Sequence, residues 1–89
     1  MEQSLMYKVR FKNSVKKDLK KIGKSNLKEN FEGIVKVLKE NPYQESQLFE
    51  KLLPKSEGRY SRRLNRQHRV VYRVDEVNKV VIIFSLVTL

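Results

Sequence analysis

Cysteine and tryptophan are absent from this 89-residue sequence, and histidine occurs once, at His68. Without cysteine there is no disulfide frame and no thiolate metal site, and one imidazole cannot assemble a zinc centre. No metal and no cofactor are expected on these grounds. Three glycines and two prolines leave no Gly- or Ser-rich linker, and nothing repeats, so one domain spanning residues 1–89 is expected. Apolar runs all fall short of the ~20 residues that cross a bilayer. The opening Met1-Glu2-Gln3-Ser4-Leu5-Met6 lacks the basic start and apolar stretch of a signal peptide. A cytoplasmic protein with no membrane role is the expectation.

Acid is also scarce, and base is not. Twenty Lys and Arg stand against ten Asp and Glu, a formal charge of +10. The excess is clustered. Between Lys8 and Lys24 eight cations meet one acid, Asp18, and between Lys51 and Arg73 eight more meet only Glu57. Self-repulsion on this scale destabilises a small domain unless an anionic partner offsets it, and nucleic acid is the usual partner of a folded basic domain.

Periodicity sets the order of elements. Tyr7, Val9 and Phe11 alternate with Lys8, Arg10 and Lys12, as in a half-buried strand. A helix follows, with Asn13 or Ser14 as cap, Val15, Leu19 and Ile22 as its apolar stripe, and Gly23 as its stop. Asn26 and Glu29 have capping-box spacing before a second helix striped by Leu27, Phe31, Ile34, Val35 and Leu38. Asn41-Pro42 ends it. A mid-helix Gly33 predicts close approach of another backbone. Three strands are predicted at Tyr60–Leu64, His68–Val74 and Val80–Val87, with a short extended piece near Phe49–Leu53. The last strand is apolar on both faces, which predicts cover on both sides. The resulting fold class is α+β, in the order β-α-α-β-β-β. It is a small antiparallel sheet with an N-terminal strand and a helical hairpin packed on one face.

The chemistry concentrates between Gly58 and Arg73, where six arginines sit among strand-forming residues with Asn65 as turn punctuation. A three-residue loop of Asn65, Arg66 and Gln67 sets Arg63 opposite Arg69, with Cβ atoms about 5 Å apart. A two-residue turn pairs Arg62 with Arg69 instead. Either way two like charges face each other, and a bound phosphate relieves them through bidentate hydrogen bonds. Glu50, between Phe49 and Lys51, is the acid that could reach such a pair and take a proton from an attacking hydroxyl. His68 alternates onto the face opposite Arg69, beside Val70 and Tyr72, where a structural hydrogen bond is expected of it and a core position of Tyr72.

Tyr60-Ser61-Arg62-Arg63-Leu64 with Gln67-His68-Arg69-Val70-Val71-Tyr72 resembles the signature of YoeB-type toxins of the RelE superfamily. Phe49-Glu50-Lys51-Leu52 resembles that family's upstream acidic segment, and the element order agrees. The resemblance implies a bacterial toxin of a type II toxin–antitoxin pair that cleaves mRNA on the ribosome by attack of a ribose 2′-hydroxyl on the adjacent phosphate. It implies Glu50 as general base and Arg69 as the phosphate-stabilising arginine. Arg62, Arg63, Arg66, Lys51 and Arg73 make up the expected RNA-binding set. Its partners are then an acidic antitoxin, the ribosome and mRNA, with a homodimer or toxin–antitoxin hetero-oligomer as the assembly. Members of that family usually end in His-Tyr, whereas Val87-Thr88 is followed here by Leu89. An impaired nuclease is therefore expected. The rival expectations are an inactive homologue that binds antitoxin or ribosome, and a gyrase inhibitor of the related ParE branch.

Overall fold

The computed structural model describes residues 6–22 and 27–88. Strand β1 (Lys8–Phe11) leads into helices α1 (Asn13–Ile22) and α2 (Leu27–Glu40). A two-residue strand β2 (Glu50–Lys51), a 3-10 turn (Lys55–Glu57) and strands β3 (Arg59–Arg63), β4 (His68–Asp75) and β5 (Val80–Thr88) follow. The strands form one five-stranded sheet in the order β1-β5-β4-β3-β2.

Alternation decides which side chains enter the core. Val15 of α1 and Phe31, Ile34 and Leu38 of α2 are buried against Leu64, Val70, Tyr72, Val81 and Ile83. Leu19, Leu27 and Val35 pack around them. Both helices thus cover one face of the sheet. Full burial of each such side chain contributes about 1.5–3 kcal/mol. The opposite face carries the alternate residues: Arg59, Ser61 and Arg63 of β3, Arg69, Val71 and Arg73 of β4.

Four details depart from the sequence reading. The sheet is mixed, because β1 lies parallel to β5 with Lys8 beside Val80 and Phe11 beside Ile83. β5 is not sandwiched: its second face carries the half-buried Ile82 and Phe84 and an exposed Val87. α1 is initiated one residue early, since the Lys12 carbonyl accepts from the Val15 and Lys16 N–H groups at 3.0 and 3.3 Å. Among the described residues no backbone crowds Gly33, where an added Cβ would meet the Gln47 amide nitrogen at 3.9 Å. The expected roles of Gly23 and Asn26, and the terminal Leu89, lie outside the described residues.

A polar clamp ties two distant parts of the chain to the β4–β5 turn. The Tyr7 hydroxyl donates to both Glu76 carboxylate oxygens, at 3.1 and 2.9 Å, and the Tyr43 hydroxyl donates to the same carboxylate. Lys79 Nζ lies 2.6 Å from it and 5.2 Å from the centre of the Tyr7 ring. Hydrogen bonds from Lys79, Tyr43 and Tyr7 push the Glu76 carboxyl down to about 2 from 4.5. A carboxyl lowered in the folded state stabilises above its unfolded pKa, and that contribution disappears as pH falls through the folded value. Glu76→Gln should therefore have a lower urea midpoint than the parent at pH 7. The gap should narrow as pH drops from about 4.5 to about 2. A gap that stays constant over that window would show that the carboxylate charge contributes nothing.

Candidate functional site

The hairpin between β3 and β4 is closed by Asn65, Arg66 and Gln67. Leu64 N–H donates to the His68 carbonyl at 2.9 Å, and Asn65 Oδ1 accepts from the N–H groups of Gln67 and His68 at 2.9 and 2.7 Å. This side chain completes the turn, a short-range bond that asparagine makes readily. His68 Nδ1 lies 3.1 Å from the same oxygen, so the imidazole is engaged in the turn. The three-residue loop fixes the register, and Arg63 pairs directly with Arg69.

β2 pairs Glu50 with Ser61, which in turn pairs with Val71. One row of the open face therefore runs Glu50-Ser61-Val71-Ser85, and the next holds Arg63, Arg69 and Val87. Glu50 Oε1 crosses diagonally to within 3.7 Å of Arg69 Nη2. That is ion-pair range but too long for a hydrogen bond. Ser61 and Val71 are 2% and 6% exposed and form a floor beneath the charged side chains. The arrangement is a shallow trough with a carboxylate on one wall and two guanidinium groups at one end.

Other members of the expected set lie elsewhere. Arg62 is the main correction: it is fully buried on the helix-covered face. Its Nη2 donates to the carbonyls of Pro42 and Gln44 at 3.0 and 2.7 Å, and its Nη1 to that of Ser46 at 2.9 Å. Nε donates to the Tyr72 hydroxyl at 3.1 Å, and the guanidinium carbon sits 4.8 Å over the Phe49 ring. No donor is left for RNA. Lys51 follows Glu50 in an extended strand and so points to the other face, lining a hollow with Tyr43, Phe49 and Tyr60. Arg66 is exposed at the hairpin tip, and Arg73 is exposed on the open face opposite Arg59. Parity could have sorted these residues, since Arg62 alternates with Tyr60 and Leu64, and Lys51 with Phe49.

Arg62 also explains how Glu50 is placed. Its three carbonyl acceptors belong to the segment between α2 and β2, and the Gln47 carbonyl is held by Arg63 N–H at 2.7 Å. Gln47 and Leu48 sit at φ values of 54° and 52°, a left-handed conformation costly for non-glycine residues. The bonds on either side hold the segment in that shape, so that it delivers Glu50 to the edge of β3. Tyr72, whose hydroxyl donates to the Pro42 carbonyl at 2.6 Å, has its pKa pushed up to about 12 by burial, against the opposing influence of Arg62. It therefore acts as a neutral donor. Among the described residues no three His, Asp or Glu side chains gather as a metal site would require. No helix among them is long and apolar enough to cross a membrane.

Residues 9–87 match the family model described as ParE toxin of type II toxin–antitoxin system, parDE. A search of curated protein sequences gives no significant match. Among solved structures, the chain is similar to YoeB in a YoeB–YefM complex from Staphylococcus aureus. That pair is 28% identical with a TM-score of 0.76, over 93% of this chain and 97% of the other. It is also similar to an archaeal RelE–RelB complex from Pyrococcus horikoshii OT3, at 27% identity and TM-score 0.78, covering 93% and 94%. A YoeB/ParE toxin from Agrobacterium tumefaciens superposes with TM-score 0.81 over 92% and 98% of the two chains. At 21% identity that likeness speaks for the fold alone.

Removing the Arg62 side chain should unfold the segment before β2 or the whole domain. Three carbonyls lose their partner at once, and buried unsatisfied groups cost about 1–3 kcal/mol each. Arg62→Ala should lose roughly 3 kcal/mol or more in urea unfolding. Arg62→Lys should recover only part, because an ammonium cannot match the planar fork. Full stability of Arg62→Lys would show that charge alone, without the fork, holds the segment.

Proposed function

The chain belongs to the ParE toxin family of type II toxin–antitoxin systems, and from that premise we propose that it is an endoribonuclease that cuts mRNA on the ribosome. The observation that carries this reading is the Glu50–Arg69 contact of 3.7 Å beside the opposed Arg63. A phosphate fits between two like-charged guanidinium groups that, among the described residues, have no other partner on that face than one loosely held carboxylate. Glu50 takes the proton of the ribose 2′-hydroxyl, whose oxygen forms a bond to the adjacent phosphorus. Arg69 and Arg63 hold the equatorial oxygens as negative charge develops there. The P–O5′ bond breaks, leaving a cyclic phosphate and a 5′-hydroxyl end. The open face presents no imidazole among the described residues, so the departing 5′ oxygen draws its proton from water in this scheme.

The partner that silences the protein is an acidic antitoxin. The +10 charge supports this. So do the YoeB–YefM and RelE–RelB complexes among the similar structures. A disordered acidic tail that folds on binding could cover the open face and neutralise it. The match to a model named for ParE keeps a second reading in view, a toxin directed at DNA gyrase.

Primer extension on messages from translating ribosomes decides between them. The parent should produce new 5′ ends. Arg69→Ala should cut about 10²–10³-fold more slowly, as when a charge-stabilising donor is removed. Glu50→Gln should lose about 10²–10⁴-fold, the usual share of a general base. Both variants should keep the parent's unfolding midpoint to within the small change typical of surface sites. Undiminished cutting by either variant would refute the site. Absence of cutting by the parent together with inhibited supercoiling would favour gyrase.

A further inference from the structure

The same open face carries a second arginine pair. Arg59 lies directly opposite Arg73, as Arg63 lies opposite Arg69, with the Ser61–Val71 row between them. Four residues of extended strand separate the two pairs, about 14 Å. Around the second pair is a hollow of about 460 Å³ lined by Lys12, Glu57, Arg59, Arg73, Ile82 and Phe84. Three cations there meet one carboxylate. Arg59 Nη2 rests on Glu57 Oε1 at 2.7 Å, while Arg59 Nε is buried with no hydrogen-bond partner.

Phe84 gives the hollow an aromatic wall. Tyr72 pairs with Ile83 and Val71 with Ser85, so Phe84 is an extra residue on β5. Phe84 lies on the open face by alternation with Ile82, and the bulge puts Ser85 on that face as well, which interrupts the ladder beside the ring. Lys12 Nζ lies 5.6 Å from the centre of the Phe84 ring. Neither the catalytic scheme nor the core accounts for an aromatic ring among cations on the uncovered face.

We propose that Arg59, Arg73, Lys12 and Phe84 form a second subsite for the RNA strand being cut, the cations holding a backbone phosphate and Phe84 stacking on a base. The assignment rests on the RNA reading of the Glu50–Arg69 trough and extends it along the strand. At the ~3.4 Å rise of a stacked strand the two phosphates are about four nucleotides apart, fewer when the strand is drawn out. In the free protein the Glu57 carboxylate occupies Arg59 in place of the phosphate. An aromatic ring beside guanidinium groups suits single-stranded nucleic acid, because every base has a face to stack and every link carries a charge.

The test uses the full chain and fluorescent single-stranded RNA with 2′-O-methyl riboses, which cannot be cut, as a dinucleotide and as an octanucleotide. The parent should hold the octanucleotide more tightly. Phe84→Ala and Arg59→Gln should each weaken octanucleotide binding about ten-fold, as expected for one lost stacking or charge contact, with little change for the dinucleotide. Glu57→Gln should strengthen octanucleotide binding, an opposite sign that general damage to the fold cannot produce. Equal losses on both probes, no loss on the octanucleotide, or weakening by Glu57→Gln would overturn the proposal. If the dinucleotide still depends on Arg69 in any of those cases, the trough reading survives. Binding of neither probe by the parent would overturn both. The same variants losing an acidic peptide but not the octanucleotide would make the hollow a protein site and reject the RNA subsite. On programmed ribosomes, a photoreactive residue at position 84 should crosslink to the message; crosslinks to ribosomal RNA alone would reject the cut strand as ligand.

Discussion

A buried guanidinium with no carboxylate partner among the described residues holds this molecule's site in place. Desolvating such a charge costs several kcal/mol, and Arg62 recovers that through three carbonyls, a phenol and an aromatic face. All three carbonyls come from the segment that follows α2. The segment contributes almost no apolar burial of its own beyond Pro42 and Phe49. Its course is therefore set by polar contacts, most of them from one side chain on β3, with the Tyr72 hydroxyl on Pro42, the Arg63 N–H on Gln47 and Glu76 on Tyr43 beside it. Because the segment ends at Glu50, the same side chain that stabilises the fold also aims the carboxylate at Arg69.

The division of the sheet into two unlike faces follows from strand parity. One set of alternate residues, Tyr60, Arg62 and Leu64 with Val70 and Tyr72, meets the helices. The other set, Arg59, Ser61 and Arg63 with Arg69, Val71 and Arg73, is left uncovered. Small residues at Ser61 and Val71 keep the middle of the open face low, while arginines rise at either end. Like charges placed directly across a ladder, each pair met by a single carboxylate, destabilise the free protein. That cost is consistent with a surface shaped for an anionic strand, and with a partner that must cover it when no strand is bound.

Much of this was legible in the sequence. Alternation and helical spacing located every major element, and the hairpin loop set an arginine opposite Arg69, but whether that arginine was Arg63 or Arg62 depended on a turn length that only the structure decides. Residue type alone misassigned Arg62 and Lys51, since a buried arginine and an RNA-binding one look the same until parity is applied across the strand. The parallel pairing of β1 with β5 joins residues some seventy positions apart, a contact that no local pattern encodes. The Glu76 clamp was invisible for the same reason, its tyrosines lying 33 and 69 positions away. Phe84 did not stand out because β5 is apolar throughout, although alternation from Val81 and Ile83 in the core places it with Ile82 on the open face.

The most direct test of the account is an amide and arginine side-chain NMR titration with an uncuttable 2′-O-methyl octanucleotide. The account predicts shifts confined to the open face, at Glu50, Ser61, Arg63, Arg69 and the Arg59–Arg73 end. The Arg62 Nε–H resonance should stay in place, locked on Tyr72. Shifts centred on the lysine faces of α1 and α2, or movement of the Arg62 resonance as RNA is added, would contradict it.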